Sequence, residues 1–192
     1  MKTIVWDVDD VLNDLMGAWF AEAWLPAHPR CPVTYGQLTQ NPPHQALAVP
    51  LQEYLDSLDE FRAAHGAALV PDSRLLEWFH LHGHRFRHMA LTAVPYGIAD
   101  IWAGWVVKHF GHWIRSFNFV PSPRAGDAFP SYDSNKADFL KWWARADIIV
   151  DDSPAHIAAA GELGLTTFTY PRPWNHSSES VAVLLESLAR QE

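Results

Sequence analysis

Apolar and polar positions fall into distinct blocks along the chain. Ile4-Val5-Trp6-Asp7-Val8 is an apolar run ending in carboxylates, the pattern of a strand covered on both faces in a parallel sheet, and it predicts a central strand. Met16, Trp19, Phe20, Ala23 and Trp24 follow at i, i+3, i+4, i+7 and i+8, one apolar face of a helix that Pro26 should stop. Residues 26 to about 50 are rich in Pro, Asn, Gln and His, including Asn41-Pro42-Pro43-His44, and carry no period, so a loop is expected. Leu51, Tyr54, Leu55 and Leu58 restore helical spacing up to Gly66. Residues 17–70 are therefore expected as a small helical cap inserted into a core domain formed by 1–16 and 71–192.

From Asp72 the alternation is regular. Asp72 should cap a helix over 73–82, followed by strand 85–91, helix 96–110, strand 114–120, helix 134–145, strand 147–151, helix 154–163 and strand 166–170. A last helix, 178–190, aligns Val181, Leu184, Leu185 and Leu188. Five strands separated by helices predict an α/β fold with a doubly wound parallel sheet.

Composition adds limits. The chain has 192 residues and is 48% apolar, enough for one sizeable core, and no run approaches the roughly 18 apolar residues of a membrane helix. The lone cysteine, Cys31, cannot form an internal disulfide, and a reducing cytoplasm is the expected setting. Net charge is −8, and the 14 Lys and Arg are scattered in sequence, which argues against a nucleic-acid polymer as partner. Ten tryptophans fall largely at helical spacing and read as core and cap packing.

In open α/β sheets ligands bind beyond the carboxyl ends of the strands, so the polar residues there carry the candidate chemistry. Asp7, Asp9, Asp151 and Asp152 would gather at neighbouring strand ends, an arrangement that only cations can offset. Oxygen donors without Cys or clustered His favour Mg²⁺ over Zn²⁺, with these four aspartates as candidate ligands. On an extended segment Asp7 and Asp9 can divide the work, one facing metal and phosphorus and the other the leaving group. Thr92, with the adjoining Ala93, is placed to bind a phosphoryl oxygen. Lys136 brings positive charge to a helix N-terminus for which Ser134 is the expected cap.

Asp-x-Asp-x-Val after the first strand, Thr after the second, Lys before the fourth and Asp-Asp after it resemble, in order and placement, the four motifs of the haloacid dehalogenase (HAD) superfamily. The resemblance covers nearly the whole chain apart from the cap and implies a HAD-like Rossmannoid fold and Mg²⁺-dependent phosphate chemistry on a small phosphate ester. It implies Asp7 as the nucleophile that becomes an aspartyl phosphate, and Asp9 as acid and base whose main-chain carbonyl also meets the metal. It further implies Thr92 and Lys136 as phosphoryl ligands, Asp152 as direct metal ligand, and Asp151 acting through water or Lys136. Asp9 argues against carbon–halogen cleavage, because dehalogenase members lack the second Asp. The Asp-x-Asp-x-Val-Leu opening, Thr92-Ala93-Val94-Pro95 and Arg172-Pro173-Trp174-Asn175 look like the 5′(3′)-deoxyribonucleotidases, which implies a deoxynucleoside monophosphate as substrate. The chain departs from them at Asp10, where they usually carry Gly.

Other readings compete at single residues. Asp10, Asn13 and Asp14 fit turn and capping roles better than catalysis. His80, His82, His84 and His88 straddle a helix end and a strand, and their spacing suits no single ligand face. Trp19 and Phe20 are candidate substrate contacts, although they lie on a stripe with Trp24, Tyr35 and Tyr54 that reads mainly as core. Arg172, Trp174 and Asn175 lie near the site by topology and are further candidate contacts. Two other functions remain open: a phosphatase for a sugar phosphate or other metabolite, and a phospho-ligand binding protein without turnover. The Asp7 and Asp9 pair disfavours the latter, since a pure binder needs no acid/base carboxylate.

Overall fold

The computed structural model describes residues 1–128, 130 and 132–191. Its centre is a sheet of β1 (Thr3–Trp6), β2 (Arg87–Val94), β3 (Ile114–Pro121), β4 (Ile148–Asp151) and β5 (Thr166–Thr169), all parallel, in the order β3-β2-β1-β4-β5. Ile4 is opposite both His88 and Ile148, so β1 is the central strand, and every residue of it is buried. The chain winds outward from β1 to β3 and returns to β4 on the other side of β1. Strand order therefore reverses between β1 and β4, where such sheets open a crevice.

Helices α1 (Leu15–Trp19), α2 (Leu25–Ala27), α3 (Leu51–His65), α4 (Ser73–His82), α5 (Ala99–Phe110), α6 (Lys136–Trp143), α7 (Pro154–Glu162) and α8 (Val181–Ala189) complete the fold. Alternation along β1 sends its side chains to two layers. Ile4 and Trp6 join a large cluster with Trp102, Trp105 and Leu184, while Val5 joins Met89, Leu91, Ile149 and Phe139. Trp19, Phe20, Trp24, Tyr54, Leu58 and Phe61, all within residues 17–70, belong to the same cluster as Ile4 and Trp6. The expected cap is thus packed onto the core through continuous apolar contact. Among the described residues, no helix is long and apolar enough to cross a membrane.

Several boundaries differ from the sequence expectation, for local reasons. Pro26 does not stop the first helix: Leu25 N–H bonds the Phe20 carbonyl in a wide π-type turn, and Pro26, which lacks an N–H, enters the helical stretch that ends at Ala27. The expected loop contains one 3₁₀ turn, Tyr35–Gln37, whose Gln37 side chain accepts the Thr34 N–H. Asn135, not Ser134, caps α6, its Oδ1 accepting the Asp138 N–H at 3.0 Å. Helix 96–110 is a 3₁₀ turn, Tyr96–Ile98, leading into α5.

α6 ends on Ala144 in the left-handed region (φ 45°, ψ 32°), a position where a Cβ is strained and Gly is the common residue. Ala144→Gly is expected to raise stability by about 1 kcal/mol in urea unfolding. A loss of stability would show that Ala144 is held there by packing.

Candidate active site

The chain leaves β1 through a turn built for polar groups. Asp7 is still tied to the sheet by its N–H, which donates to Val150 O at 3.0 Å, and its Oδ1 accepts the Val8 N–H at 2.7 Å. Val8–Leu12 then forms a wide turn closed by Asn13 N–H on Val8 O, with Asp9 extended and Asp10 left-handed (φ 62°, ψ 8°). A positive φ of this kind favours Gly, and Asp is among the few other residues that tolerate it. Asp10 and Asn13 take the turn roles expected of them: Asp10 Oδ1 accepts Met16 N–H at 2.8 Å, and Asn13 Oδ1 accepts from Asp10 and Leu15. Arg172 fastens the turn from outside, donating to Asp10 O, Asn13 O and Asp14 Oδ1 at 2.6, 2.9 and 2.7 Å.

At the sheet's reversal point Lys136 Nζ lies 2.8 Å from Asp7 Oδ2 and 2.7 Å from Asp151 Oδ2, and all three side chains are buried. Burial alone would lower the lysine, but Asp151 and Asp7 outweigh it and hold the ammonium charged. Burial likewise would raise Asp151; Lys136 and His156 reverse this and keep it ionised, at about 2. Asp7 goes the other way, pushed up to about 6 by burial despite Lys136. Asp152 is 5% exposed and is raised well above the carboxylate range by burial and by Asp151, Asp7 and Asp10. Four buried aspartates thus face fewer cations than they need.

This shortage is the structural ground for a bound cation. Asp7, Asp151 and His156 place ligand atoms within 4.8 Å of one another, but Lys136 already lies between the two carboxylates. Among the described residues Asp152 makes no ion pair, and its Oδ2 accepts the Trp174 Nε1–H at 2.6 Å. A hard divalent ion among oxygen donors fits this surplus at Asp7 and Asp152.

Asp7, Asp9, Thr92, Ala93 and Asp152 line one cleft of about 460 Å³, together with Arg62, Arg124 and His156. Thr92 is 1% exposed and its Oγ1 has no hydrogen-bond partner, nor has Asp9 Oδ1. Unpaired buried polar atoms are costly, and both belong to residues that line the cleft. Asp9 Oδ2 accepts from Arg62 Nη2 at 2.9 Å and from Trp102 Nε1 at 3.2 Å. Asp59 of α3 pairs with Arg62 and, bidentately, with Arg124 at 2.5 and 3.0 Å. Two ion pairs of opposite polarity therefore bridge α3 to the sheet side of the cleft.

Five candidate contacts fall elsewhere. Trp19 and Phe20 are 0% and 3% exposed, lie in the core and do not line the cleft, and Trp19 Nε1 donates to Ser57. The large apolar area of both rings decides their place. Trp174 orients Asp152, Asn175 Nδ2 donates to Asp152 O and Tyr170 O, and Arg172 braces the turn, so all three support the site from behind. The four histidines form no cluster: His88 Nδ1 accepts from Trp6 Nε1 and its Nε2 bonds Gly83 O, and burial lowers it to about 4. Arg62, Arg124 and His156 escaped the sequence reading. Arg62 had a signal, a charge on the buried stripe Tyr54, Leu58, Phe61, Arg62 of α3; Arg124 and His156 had none.

A larger groove, about 940 Å³, lies at the opposite strand ends beside Arg87, Arg115 and Arg145. Arg87 lies in β2, Arg115 in β3 and Arg145 just after α6, and none of the described residues lining this groove has a buried unpaired side-chain N or O atom.

No protein-family model and no curated protein matches the chain. Solved structures do. A hydrolase from Streptococcus pneumoniae TIGR4 is 17% identical at TM-score 0.57, covering 98% of this chain and 99% of that one. A HAD family hydrolase from Deinococcus radiodurans with bound phosphate and sodium is 16% identical at TM-score 0.54, covering 99% and 88%. Protein Tyrosine Kinase A of Mycobacterium tuberculosis is 15% identical at TM-score 0.60, covering 98% of each chain. The chain has the fold of HAD-superfamily hydrolases; at these identities the likeness fixes architecture and leaves the reaction to the site.

The raised carboxyls carry a pH dependence. A group whose folded pKa exceeds its unfolded value of 3.8 contributes fully below that value and loses the contribution as pH rises through the folded one. Without metal, Asp7 (about 6) and Asp10 (about 7) should withdraw stability between about pH 4 and 7, the raised Asp152 acting in the same direction, with His88 opposing between about 4 and 6.5. The rise in Tm on adding Mg²⁺ should therefore be larger at about pH 8 than at about pH 5, and smaller in Asp152→Asn. An increment independent of pH would contradict the charge shortage.

Proposed function

We propose that the chain is a metal-dependent phosphomonoesterase for a small phosphate ester, with Asp7 as nucleophile. The carrying observation is the gathering of Asp7, Asp9, Thr92, Lys136 and Asp152 in and beneath one cleft, with Asp9 Oδ1 and Thr92 Oγ1 left without hydrogen-bond partners.

In this reading Asp7 attacks phosphorus, the bond to the leaving oxygen breaks, and Asp9 supplies the proton that oxygen takes up. The aspartyl phosphate is then hydrolysed by water that gives its proton to Asp9, restoring both carboxyls. Thr92 Oγ1 and Lys136 hold phosphoryl oxygens through the transfer. Mg²⁺, when bound, supplies charge compensation for the phosphoryl group. Residues 17–70 act as a cap that excludes water over the cleft, the crossed pairs Arg62–Asp9 and Asp59–Arg124 marking its contact with the sheet side. A deoxynucleoside monophosphate is the substrate that the resemblance suggests; a sugar or other metabolite phosphate is the alternative, and the core position of Trp19 and Phe20 takes support from base stacking.

Phosphate release should require Mg²⁺, and Asp7→Asn should lower kcat at least about 10³-fold while thermal unfolding shows the variant folded. Turnover surviving in that variant would remove Asp7 from the nucleophile's role. Ligand binding without turnover in the parent protein would favour a phospho-ligand binding function.

A further inference from the structure

The sheet carries a second concavity at its other edge. The groove of about 940 Å³ at the amino ends of the strands takes Arg87 from β2, Arg115 from β3 and Arg145 from the turn after α6. All three are exposed, and none makes an ion pair among the described residues. Of their side chains only that of Arg115 makes a hydrogen bond, a long one of 3.4 Å from Nη2 to His112 O. Most other basic side chains of the chain hold a carboxylate. Asp147 is the one acid in the lining, and its Oδ2 already accepts the Thr3 N–H at 2.8 Å. A chain of net charge −8 thus keeps three uncompensated guanidiniums, scattered in sequence, on one concave surface.

Backbone geometry puts them there. Pairing of β2 with β3 slips between His88 opposite Ile114 and Ala90 opposite Phe117, so Arg115 and Ser116 together oppose Met89. Such a bulge re-aims side chains, and both residues line the groove with Met89. α6 packs Phe139 and Leu140 into the layer that holds Met89 and stops at Trp143. The left-handed Ala144 then turns the chain, and Arg145 follows in the groove wall.

Charge and spacing select the ligand. Like charges lining a concave wall focus a positive field, so the ligand is an anion. Guanidiniums pair with phosphate oxygens two at a time. In the order β3-β2-β1-β4, with neighbouring strands about 4.8 Å apart, Arg115 stands on β3 and Arg145 just before β4, three strands across. A chain of phosphates, charged along its length, matches that spread better than a single phosphate. The groove's volume is that of a small-molecule site.

We propose that this groove binds a small oligophosphate of triphosphate length, free or carried on a nucleoside. The site lies at the strand ends opposite the cleft of Asp7, and the proposal stands independently of the phosphatase reading.

Calorimetric titration of the Mg²⁺-free protein with tripolyphosphate, adenosine triphosphate and orthophosphate tests it. Tripolyphosphate should bind at one site per chain with Kd below about 100 μM at low salt, weaken as salt is raised, and exceed orthophosphate in affinity by about tenfold or more. The variant R87Q/R115Q/R145Q, shown folded by thermal unfolding, should lose about tenfold or more in affinity. R30Q/K108Q removes exposed cations outside the groove and should stay within about twofold of the parent. Adenosine triphosphate binding more tightly than tripolyphosphate assigns the groove to nucleotides, and equal affinity assigns it to the bare phosphate chain. Kd above about 1 mM for both, or an affinity that R87Q/R115Q/R145Q leaves unchanged or lowers no more than R30Q/K108Q does, overturns the proposal. Displacement of tripolyphosphate by a single-stranded oligonucleotide at lower concentration also overturns it, and gives the groove to a nucleic-acid polymer.

Discussion

One buried ammonium joins the two halves of the sheet's carboxyl edge. Lys136 Nζ contacts Asp7 after β1 and Asp151 at the end of β4, the two strands between which the strand order reverses. Two carboxylates about 4 Å apart repel by about 4 kcal/mol at an effective dielectric of 20, so without the lysine the strand ends could not carry these side chains in ionised form. Removing one partner of a buried pair generally costs about 3–5 kcal/mol, which makes the same contact structural and chemical at once. The site is therefore a condition of the fold's electrostatics as well as a consequence of its topology.

Around that contact the structure spends further groups on orientation. The loop after β5 gives Arg172 to the turn after β1, Trp174 to the Asp152 carboxylate and Asn175 to its carbonyl. Asp9 is held on one oxygen by Arg62 and Trp102 and left open on the other. Groups fixed in this way need little rearrangement when charge develops, which is where preorganised sites gain most. The cation shortage at Asp152 and the open hydroxyl of Thr92 mark where the protein alone is incomplete.

The sheet and its order of strands and helices were legible because fully buried parallel strands read as short apolar runs ending in polar residues, and β1 and β4 do so plainly. The carboxylates Asp7, Asp151 and Asp152 were legible for the same reason: their place follows from where β1 and β4 stop. Boundaries failed where local hydrogen bonding overrode composition, as at Pro26 behind a π-type turn and at Asn135 in place of Ser134. Side-chain direction was beyond the linear pattern. Trp19 and Phe20 have the chemistry of base-stacking residues but bury it in the core, while Arg62 and Arg124, far apart in sequence, meet on Asp59 only after folding. Asp10 shows the reverse case, a residue with an expected turn role whose left-handed backbone the structure makes explicit.

Chemical trapping of the covalent intermediate tests the central claim most directly. Acid quenching during turnover with Mg²⁺, followed by borohydride reduction and peptide mass spectrometry, should convert Asp7, and no other residue, to homoserine. Phosphate release with Asp7 unmodified, or homoserine at another aspartate, would contradict the assignment of Asp7 as nucleophile.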